Sequence, residues 1–158
     1  MTADLFEWIA AAPPAAALRR SALLYIVVNA AHILSIGLLI GAILPLDLRL
    51  MGWFQSVPLA VIGPFLSTAA ATGLVLAILT GALLFSVRPA EYAENPAFLA
   101  KLSIIALGIL NAILIHTGKG WRHTLADEIA PRRIRYAAGI SFCAWIASLL
   151  AGRWIGFL

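Results

Sequence analysis

The sequence predicts an all-α integral membrane protein: a four-helix bundle in up-down-up-down order, with a short N-terminal helix at the membrane interface. Of its 158 residues, 63% are hydrophobic and 11% are charged, whereas soluble domains average roughly 45–50% and about 25%. Four apolar runs also approach the roughly 20 residues that a spanning helix needs. A β-structure is disfavoured because backbone polar groups must be satisfied internally in lipid. The length leaves no room for a separate soluble domain.

The N-terminal segment has the pattern of a helix that lies in the interface. One face carries four apolar residues at helical spacing: Leu5, Trp8, Ile9 and Ala12. Because Asp4 and Glu7 fall off that face, residues 3–12 are expected to form an amphipathic interfacial helix. The dipeptide at 13–14, two prolines, is expected to end it.

Four spans follow, at residues 21–44, 62–85, 97–117 and 134–151. Pro45 and the polar turn at 47–52 are expected to end the first span. In that turn, Asp47 and Arg49 are expected either to form an exposed ion pair, which usually contributes under about 1 kcal/mol, or to cap neighbouring helix ends. Asn95 before Pro96 predicts a capped start for the third span.

Small residues predict where helices approach one another closely. Gly37 and Gly41 form a G-x-x-x-G on the first span, and in the second span small residues recur every four positions: Gly73, Ala77 and Gly81. Such stripes let helix backbones come together in membranes. The first span is therefore expected to pack through its glycine face and to keep polar character on the other side.

The charge pattern favours lipid over nucleic acid as the partner. The formal net charge is +4, and no basic stripe with interleaved aromatic residues indicates nucleic-acid binding. In the predicted topology, the side of the termini carries Arg19, Arg20, Arg88, Lys101 and Arg153. The opposite side carries Arg49, Lys119, Arg122, Arg132, Arg133 and Arg135. The positive-inside rule then places both termini outside, by a narrow margin.

His32 is the most informative residue, because a titratable imidazole inside an apolar span is costly and usually functional. It is a candidate axial haem ligand, metal ligand or proton carrier. The alternative is a buried histidine that is hydrogen-bonded to Asn29 or Ser35, which share its side of the helix.

His116 near the end of the third span is the candidate partner of His32, with Asn111 close by. Two imidazoles on parallel helices could hold one haem b. The helical rise places His32 roughly 16 Å and His116 roughly 28 Å into their spans, which is awkward for one iron. His116 could instead anchor the interface or pair with His123.

Two cations near the side of the termini, Lys101 and Arg153, have two interpretations. They anchor the bundle as snorkelling side chains, or they form a cationic rim for haem propionates or a quinone head group. Copper handling is a weaker possibility for the histidines, because no Met-x-x-Met or Cys-x-x-Cys occurs. No hydrolase or nucleotide-binding motif is present, so an enzyme is the less favoured class.

As a set, several short motifs resemble a family of small, uncharacterised bacterial four-helix membrane proteins. They are His32 with Gly37 and Gly41, D-L-R-L-M-G at 47–52, T-G-A-L-L-F at 80–85, Tyr92, N-P-A-F-L-A-K at 95–101, Asn111 with His116, Ser141 with Trp145, and G-R-W-I at 152–155. The resemblance implies a multi-pass protein of the bacterial inner membrane and carries no activity. A looser likeness extends to membrane b-type cytochromes and copper-resistance membrane proteins.

Three functions stay open from the sequence. The leading hypothesis is a haem-binding or electron-transfer membrane protein with His32, His116, Asn29, Asn111 and Arg153 around the cofactor. The alternative is a non-catalytic accessory subunit of a larger membrane complex, with a membrane-protein partner or a second copy of the chain. Copper handling is third.

Overall fold

The computed structural model describes residues 2–155 and is built from helices. In chain order they are α1 (Thr2–Ala11), α2 (Pro13–Arg20), α3 (Ala22–Met51), α4 (Leu59–Phe85), α5 (Pro89–Glu94), α6 (Pro96–His116), α7 (Lys119–Asp127) and α8 (Arg132–Trp154). Four of them, α3, α4, α6 and α8, are long and apolar enough to cross a membrane. The predicted fold class, an all-helical membrane bundle, is confirmed.

The four spans alternate in direction and form a ring. Helix α3 packs against both α4 and α8, and α8 packs against α6. Helices α4 and α6 complete the ring, but few of their backbone positions approach each other. We call the end of the bundle where α3 and α6 begin the terminal side, and the end where α4 and α8 begin the opposite side.

The buried core lies in the half of the bundle toward the opposite side. It is formed by Leu39, Ala42, Ile43, Leu46 and Leu50 of α3, Leu59 and Ala70 of α4, Ile115, Trp121, and Ile134, Ala138 and Trp145 of α8. Trp145, 4% exposed, lies just past the middle of α8; beyond it toward the terminal side, no described hydrophobic residue of the long helices is as deeply buried. The two halves are therefore packed to different degrees.

Helix α3 does not end at Leu44 as expected but continues through Pro45 to Met51. Proline has no N–H to donate to Gly41, so one helical hydrogen bond is missing. The turns beyond it are held by tertiary packing instead, since Leu46 and Leu50 are almost fully buried. The helix ends at Gly52, whose φ of 103° is the left-handed conformation that favours glycine.

The glycines of the two packed spans behave differently from one another. A Cβ atom at Gly73 of α4 would lie 2.5 Å from the backbone nitrogen of Leu39, so this glycine lets α3 and α4 approach closely. In contrast, a Cβ atom at Gly37 or Gly41 of α3 would have nothing within 4 Å. The expectation that α3 packs through this pair is wrong for contacts within the chain.

Asparagine and proline residues set the ends of several helices. Asn95 caps α6 as predicted, and its Oδ1 accepts hydrogen bonds from the N–H groups of Ala97 at 3.0 Å and Phe98 at 3.1 Å. The prolines at 13–14 end α1 and also start α2, because proline suits the first helical turn. The charged loop after α6 contains a nine-residue helix, α7.

Candidate functional site

His32 of α3 points at α4 and is held there in one orientation. Its Nδ1 lies 2.8 Å from the Thr80 hydroxyl oxygen. Thr80 uses its own hydroxyl proton to reach the Leu76 carbonyl at 2.6 Å, so it accepts from His32. In the tautomer that donates from Nδ1 to Thr80, Nε2 carries the lone pair. Gly81 makes the approach possible, since a Cβ atom there would lie 3.0 Å from Cε1 of His32.

Lys101 of α6 approaches the same region from the diagonal helix. Its side chain is half-buried and runs over Gly152 of α8, where a Cβ atom would lie 3.2 Å from Nζ. Gly152 is near the end of α8, and Gly81, which faces His32, is near the end of α4, so Lys101 and His32 both lie in the terminal half of the bundle. Between residues 2 and 155, no carboxylate lies within ion-pair distance of Lys101.

All four spans therefore contribute to one layer of the bundle, which we call the His32–Lys101 layer. It consists of His32 and Thr80, which are hydrogen-bonded, and Lys101 and Gly152, which are packed together. Two of its side chains, His32 and Lys101, can carry positive charge. A cation in a low-dielectric interior is costly unless an anion or hydrogen-bond acceptors compensate it. The layer is thus suited to a ligand that brings acceptor oxygens.

Aromatic side chains close the bundle on the terminal side of this layer. The ring of Phe85, at the end of α4, stacks on Phe98 of α6 with centroids 5.6 Å apart. Tyr92 of α5 lies against both, at 6.2 Å and 5.3 Å. Burial raises the pKa of the Tyr92 hydroxyl, and Tyr25 adds to the effect, so this hydroxyl keeps its proton.

His116 lies in a different cluster, near the opposite side. Its Nε2 is 3.0 Å from the Ser67 hydroxyl and its Nδ1 is 2.8 Å from the Ala112 carbonyl. Its ring also packs on Trp121, with centroids 4.4 Å apart. Because both ring nitrogens are engaged, this histidine offers no free ligand atom. His116 therefore ties the end of α6 to α4 and α7.

The two histidines do not share a site. His32 contacts Thr80 and His116 contacts Ser67, and both partners belong to α4. Those partners are 13 residues apart in the sequence, which is roughly 20 Å along a helix. A single iron between the two imidazoles is therefore incompatible with this arrangement.

The other residues expected around a cofactor are dispersed. Asn29 is exposed on the outside of α3, not beside His32. Asn111 donates to the Ala137 carbonyl at 2.9 Å and so ties α6 to α8. Arg153 is exposed next to Gly152 near the end of α8. Ser35 is buried but bonds back to its own helix at Ala31, 2.6 Å away.

Thr80 and Gly81 begin the T-G-A-L-L-F motif at 80–85, but nothing in the sequence assigns either of them to His32. The available signal was their adjacency, a hydroxyl beside a glycine inside an apolar span. Such a pair offers a hydrogen-bond acceptor and room for a ring at the same point. Its meaning depends on which residue of α3 faces it, and this is a property of helix pairing.

A second polar cluster, at the opposite side, is structural in character. Arg49 is 5% exposed; its Nε donates to the Val57 carbonyl at 2.8 Å, and its Nη2 lies 3.2 Å from Oε2 of Glu128. Glu128 also accepts from the N–H groups of Leu59 at 2.5 Å and Ala60 at 3.0 Å. It thereby caps α4, whose own N-cap residue, Pro58, supplies no side-chain bond.

The environment of Glu128 favours its charged form. Hydrogen bonds from the backbone of Ala60 and Leu59, with the Arg49 charge, lower the pKa of this carboxyl. The expected exposed pair of Asp47 and Arg49 is wrong, because Arg49 pairs with Glu128 and both predicted residues are buried on α3. Asp47 is 2% exposed, and its Oδ2 has no hydrogen-bond partner among the described residues.

Residues 6–158 match DUF6644, a family of unknown function. The match covers almost the whole chain, including both polar clusters. The chain matches no curated protein and no solved structure.

Proposed function

We propose that this chain, a member of the DUF6644 family, is a membrane redox protein that binds the head group of a lipid-soluble quinone in the His32–Lys101 layer. The observation that carries the proposal is that His32, hydrogen-bonded to Thr80, and Lys101, packed on Gly152, both lie in the terminal half of the bundle, and that no carboxylate in the described part of the chain is within ion-pair distance of Lys101. The ligand, not the protein, would then supply the acceptor oxygens.

The chemistry of the two side chains fits a quinone and its reduced form. The Lys101 ammonium has three donors and no acceptor, so it suits a carbonyl or hydroxyl oxygen. Nε2 of His32 has a free lone pair because Nδ1 is bonded to Thr80. It can accept the hydroxyl proton of the reduced ring. A ring with oxygens at opposite ends would thus be held from two diagonal helices.

The packing of the bundle supports access from the membrane. Helices α4 and α6 meet through side chains near their ends, at His116 with Ser67 and at Phe85 with Phe98. Their backbones make few close approaches between these points. A lipid-soluble ligand would enter here from the bilayer, where it is already concentrated, rather than through water.

Haem b is the second candidate, with His32 alone as the protein ligand to the iron. The favouring observation is the bond from Nδ1 to Thr80, which leaves Nε2 oriented and free, as in many metal-binding histidines. Lys101 could pair with a propionate. A haem ligated by both His32 and His116 does not fit, given the roughly 20 Å between their partners on α4.

An accessory subunit role is the third candidate. It is favoured by the outward-facing Gly37 and Gly41, which have open space where a Cβ atom would be. Copper handling would need ligands beyond His32, and residues 2–155 contain no group of three His, Cys, Asp or Glu side chains placed to hold a metal.

The decisive experiment is to identify what the protein carries after purification in mild detergent. Solvent extraction and chromatography would detect a bound quinone, and titration with a short-chain quinone would give its affinity. We expect the single variants His32→Ala and Lys101→Met each to weaken binding at least about tenfold, the equivalent of one good hydrogen bond to a charged group. The matched controls His123→Ala and Arg133→Met change exposed residues.

The possible results separate the candidates. Quinone binding that is lost in both site variants and kept in both controls supports the proposal. A Soret absorption band that disappears in His32→Ala would replace the quinone by haem. Equal quinone affinity in the wild type and both site variants would overturn the assignment to this layer.

A further inference from the structure

The first turn of α8 presents a basic patch on the surface of the opposite side. We propose that this patch binds the head group of an anionic phospholipid through Arg132 and Arg135. The two arginines are three residues apart, so they share one face of the helix, with Tyr136 beside them. All three side chains are exposed. In the described part of the chain, no carboxylate lies within ion-pair distance of either arginine.

Arg135 is held in one orientation by the end of α3. Its Nε and Nη2 donate to the Met51 carbonyl at 3.1 Å and 2.8 Å. Gly52 leaves the room that the guanidinium needs, since a Cβ atom there would lie 2.8 Å from Nη2. A guanidinium has five N–H donors in a fixed fork, and these two bonds leave the donors of Nη1 for a ligand. Arg135 is therefore positioned before any ligand binds.

Without an anion, the patch opposes the stability of α8. Two like charges one turn apart on a helix repel each other. The first turn also lies at the positive end of the helix dipole, which disfavours cations. That turn contains no acidic residue, and the N-cap residue, Pro131, supplies no side-chain bond. A phosphate group would offset the repulsion and accept hydrogen bonds from both guanidinium groups.

The depth of the patch favours a lipid as the source of the phosphate. Tyr136 is 74% exposed, and Trp53, which follows Gly52, is 63% exposed. Exposed aromatic side chains of this kind concentrate at the boundary between membrane and water. Residues 137–152 of α8 include no charged side chain, so the charged turn lies where the hydrocarbon ends. Arginines at this depth face the lipid phosphates.

A head group with net negative charge fits the patch better than a zwitterionic one. In phosphatidylglycerol, the phosphate has no cation attached to it, whereas phosphatidylcholine would bring its own ammonium toward the two arginines. Like-charge juxtaposition of that kind weakens binding. The patch should therefore select anionic lipid from a mixed membrane.

Native mass spectrometry of the full chain in neutral detergent, with one added lipid at a time, tests the proposal. We expect the wild type to bind phosphatidylglycerol more tightly than phosphatidylcholine. Arg132→Gln should weaken the binding of phosphatidylglycerol about fivefold, the effect of one basic residue at an anionic lipid surface. Arg132→Lys keeps the charge and should keep most of the affinity. The matched control, Arg20→Gln, removes an exposed arginine on the terminal side and should change the affinity little.

Three results would overturn the proposal. They are equal affinity of the wild type for the two lipids, an equal loss in Arg132→Gln and Arg20→Gln, and displacement of the lipid by inorganic phosphate at the same concentration. The last result would assign the patch to a soluble anion instead. Quinone titration of Arg132→Gln should give the wild-type affinity, because the patch lies outside the His32–Lys101 layer, so the two proposals fail independently.

Discussion

The two halves of the bundle differ in whether a buried or half-buried basic side chain on a long helix has an acidic partner. In the half toward the opposite side, Arg49 is buried, paired with Glu128 and bonded to a backbone carbonyl. In the terminal half, Lys101 is half-buried against Gly152 and has no carboxylate within ion-pair distance among residues 2–155. The first half also contains the buried core, whereas the long helices of the second are less buried. The buried charged side chain of the first half stabilises the fold through its ion pair, whereas Lys101 in the second half has no ion-pair partner in the described part of the chain.

The physical reason lies in the cost of charge in a low-dielectric interior. A buried cation that has its partner is part of the folding energy, and removal of either member leaves the other uncompensated. A half-buried cation without a partner opposes folding and is retained where binding needs it. Removal of a structural cation should therefore lower the free energy of unfolding, and removal of an unpaired one should leave it unchanged or raise it.

The largest effect is expected for Arg49→Met. The change removes the bond to Val57 and the partner of Glu128, so we expect the free energy of unfolding to fall by about 3 kcal/mol. Reversible unfolding in mixed detergent micelles would measure it. Arg133→Met, at an exposed residue in the same half, should change stability little. Equal effects of the two changes would break the comparison.

A smaller effect, with a defined pH dependence, is expected for Glu128→Gln. Because the folded protein lowers the pKa of this carboxyl below its ordinary value of 4.5, its contribution to stability is present above that value. The contribution is lost as the pH falls through the lower pKa of the folded state. The wild type should therefore lose Tm in acid more steeply than Glu128→Gln. Parallel Tm curves for both proteins would show that the cap of α4 does not depend on this charge.

The opposite sign is expected for Lys101→Met. Removal of an uncompensated cation from the bundle should leave the stability unchanged or raise it by up to about 1 kcal/mol. At the same time, binding to the His32–Lys101 layer should be lost. The same unfolding assay that detects the loss in Arg49→Met gives the sign directly. A destabilisation as large as that of Arg49→Met would assign Lys101 a structural role instead.

The smallest change in stability is expected for Gly81→Ala. The new methyl group would lie 3.0 Å from the His32 ring, and a displaced side chain costs about 1 kcal/mol. The gain in helix propensity from glycine to alanine is also about 1 kcal/mol, so the net stability should hardly move while ligand affinity falls. Gly37→Ala faces open space and should leave the affinity unchanged. A fall in affinity for both variants would point to a general effect on the helices.

Much of the architecture could be predicted, because each span carries its own signal. The four spans follow from apolar runs of sufficient length, and the start of α6 follows from Asn95 with Pro96. Only part of the candidate site could be predicted from the sequence. His32 stood out as an ionisable residue in an apolar helix, but its partners Thr80 and Lys101 lie 48 and 69 residues away in the sequence. The pairing with His116 failed on depth, for the reason that the helical rise had suggested.

The main error of the sequence-based prediction concerned which face of a membrane-spanning helix points into the bundle. In a soluble helix, polar residues mark the outside, but in lipid both faces are apolar and the pattern is weak. The outward-facing Gly37 and Gly41 were therefore expected inside. The end of α3 failed for a related reason, since Pro45 removes one backbone bond while the burial of Leu46 and Leu50 outweighs the loss.

The sequence by itself determined that the chain crosses a membrane four times and that His32 needs an explanation. Both conclusions follow from the free energy of moving side chains and backbone between water and hydrocarbon, which is a local property of each segment. Only the tertiary structure decided that His32 meets Thr80 and that Arg49 is neutralised by Glu128. These contacts depend on the rotation and vertical offset of packed helices, which the shape of interlocking side chains sets once all four spans are together.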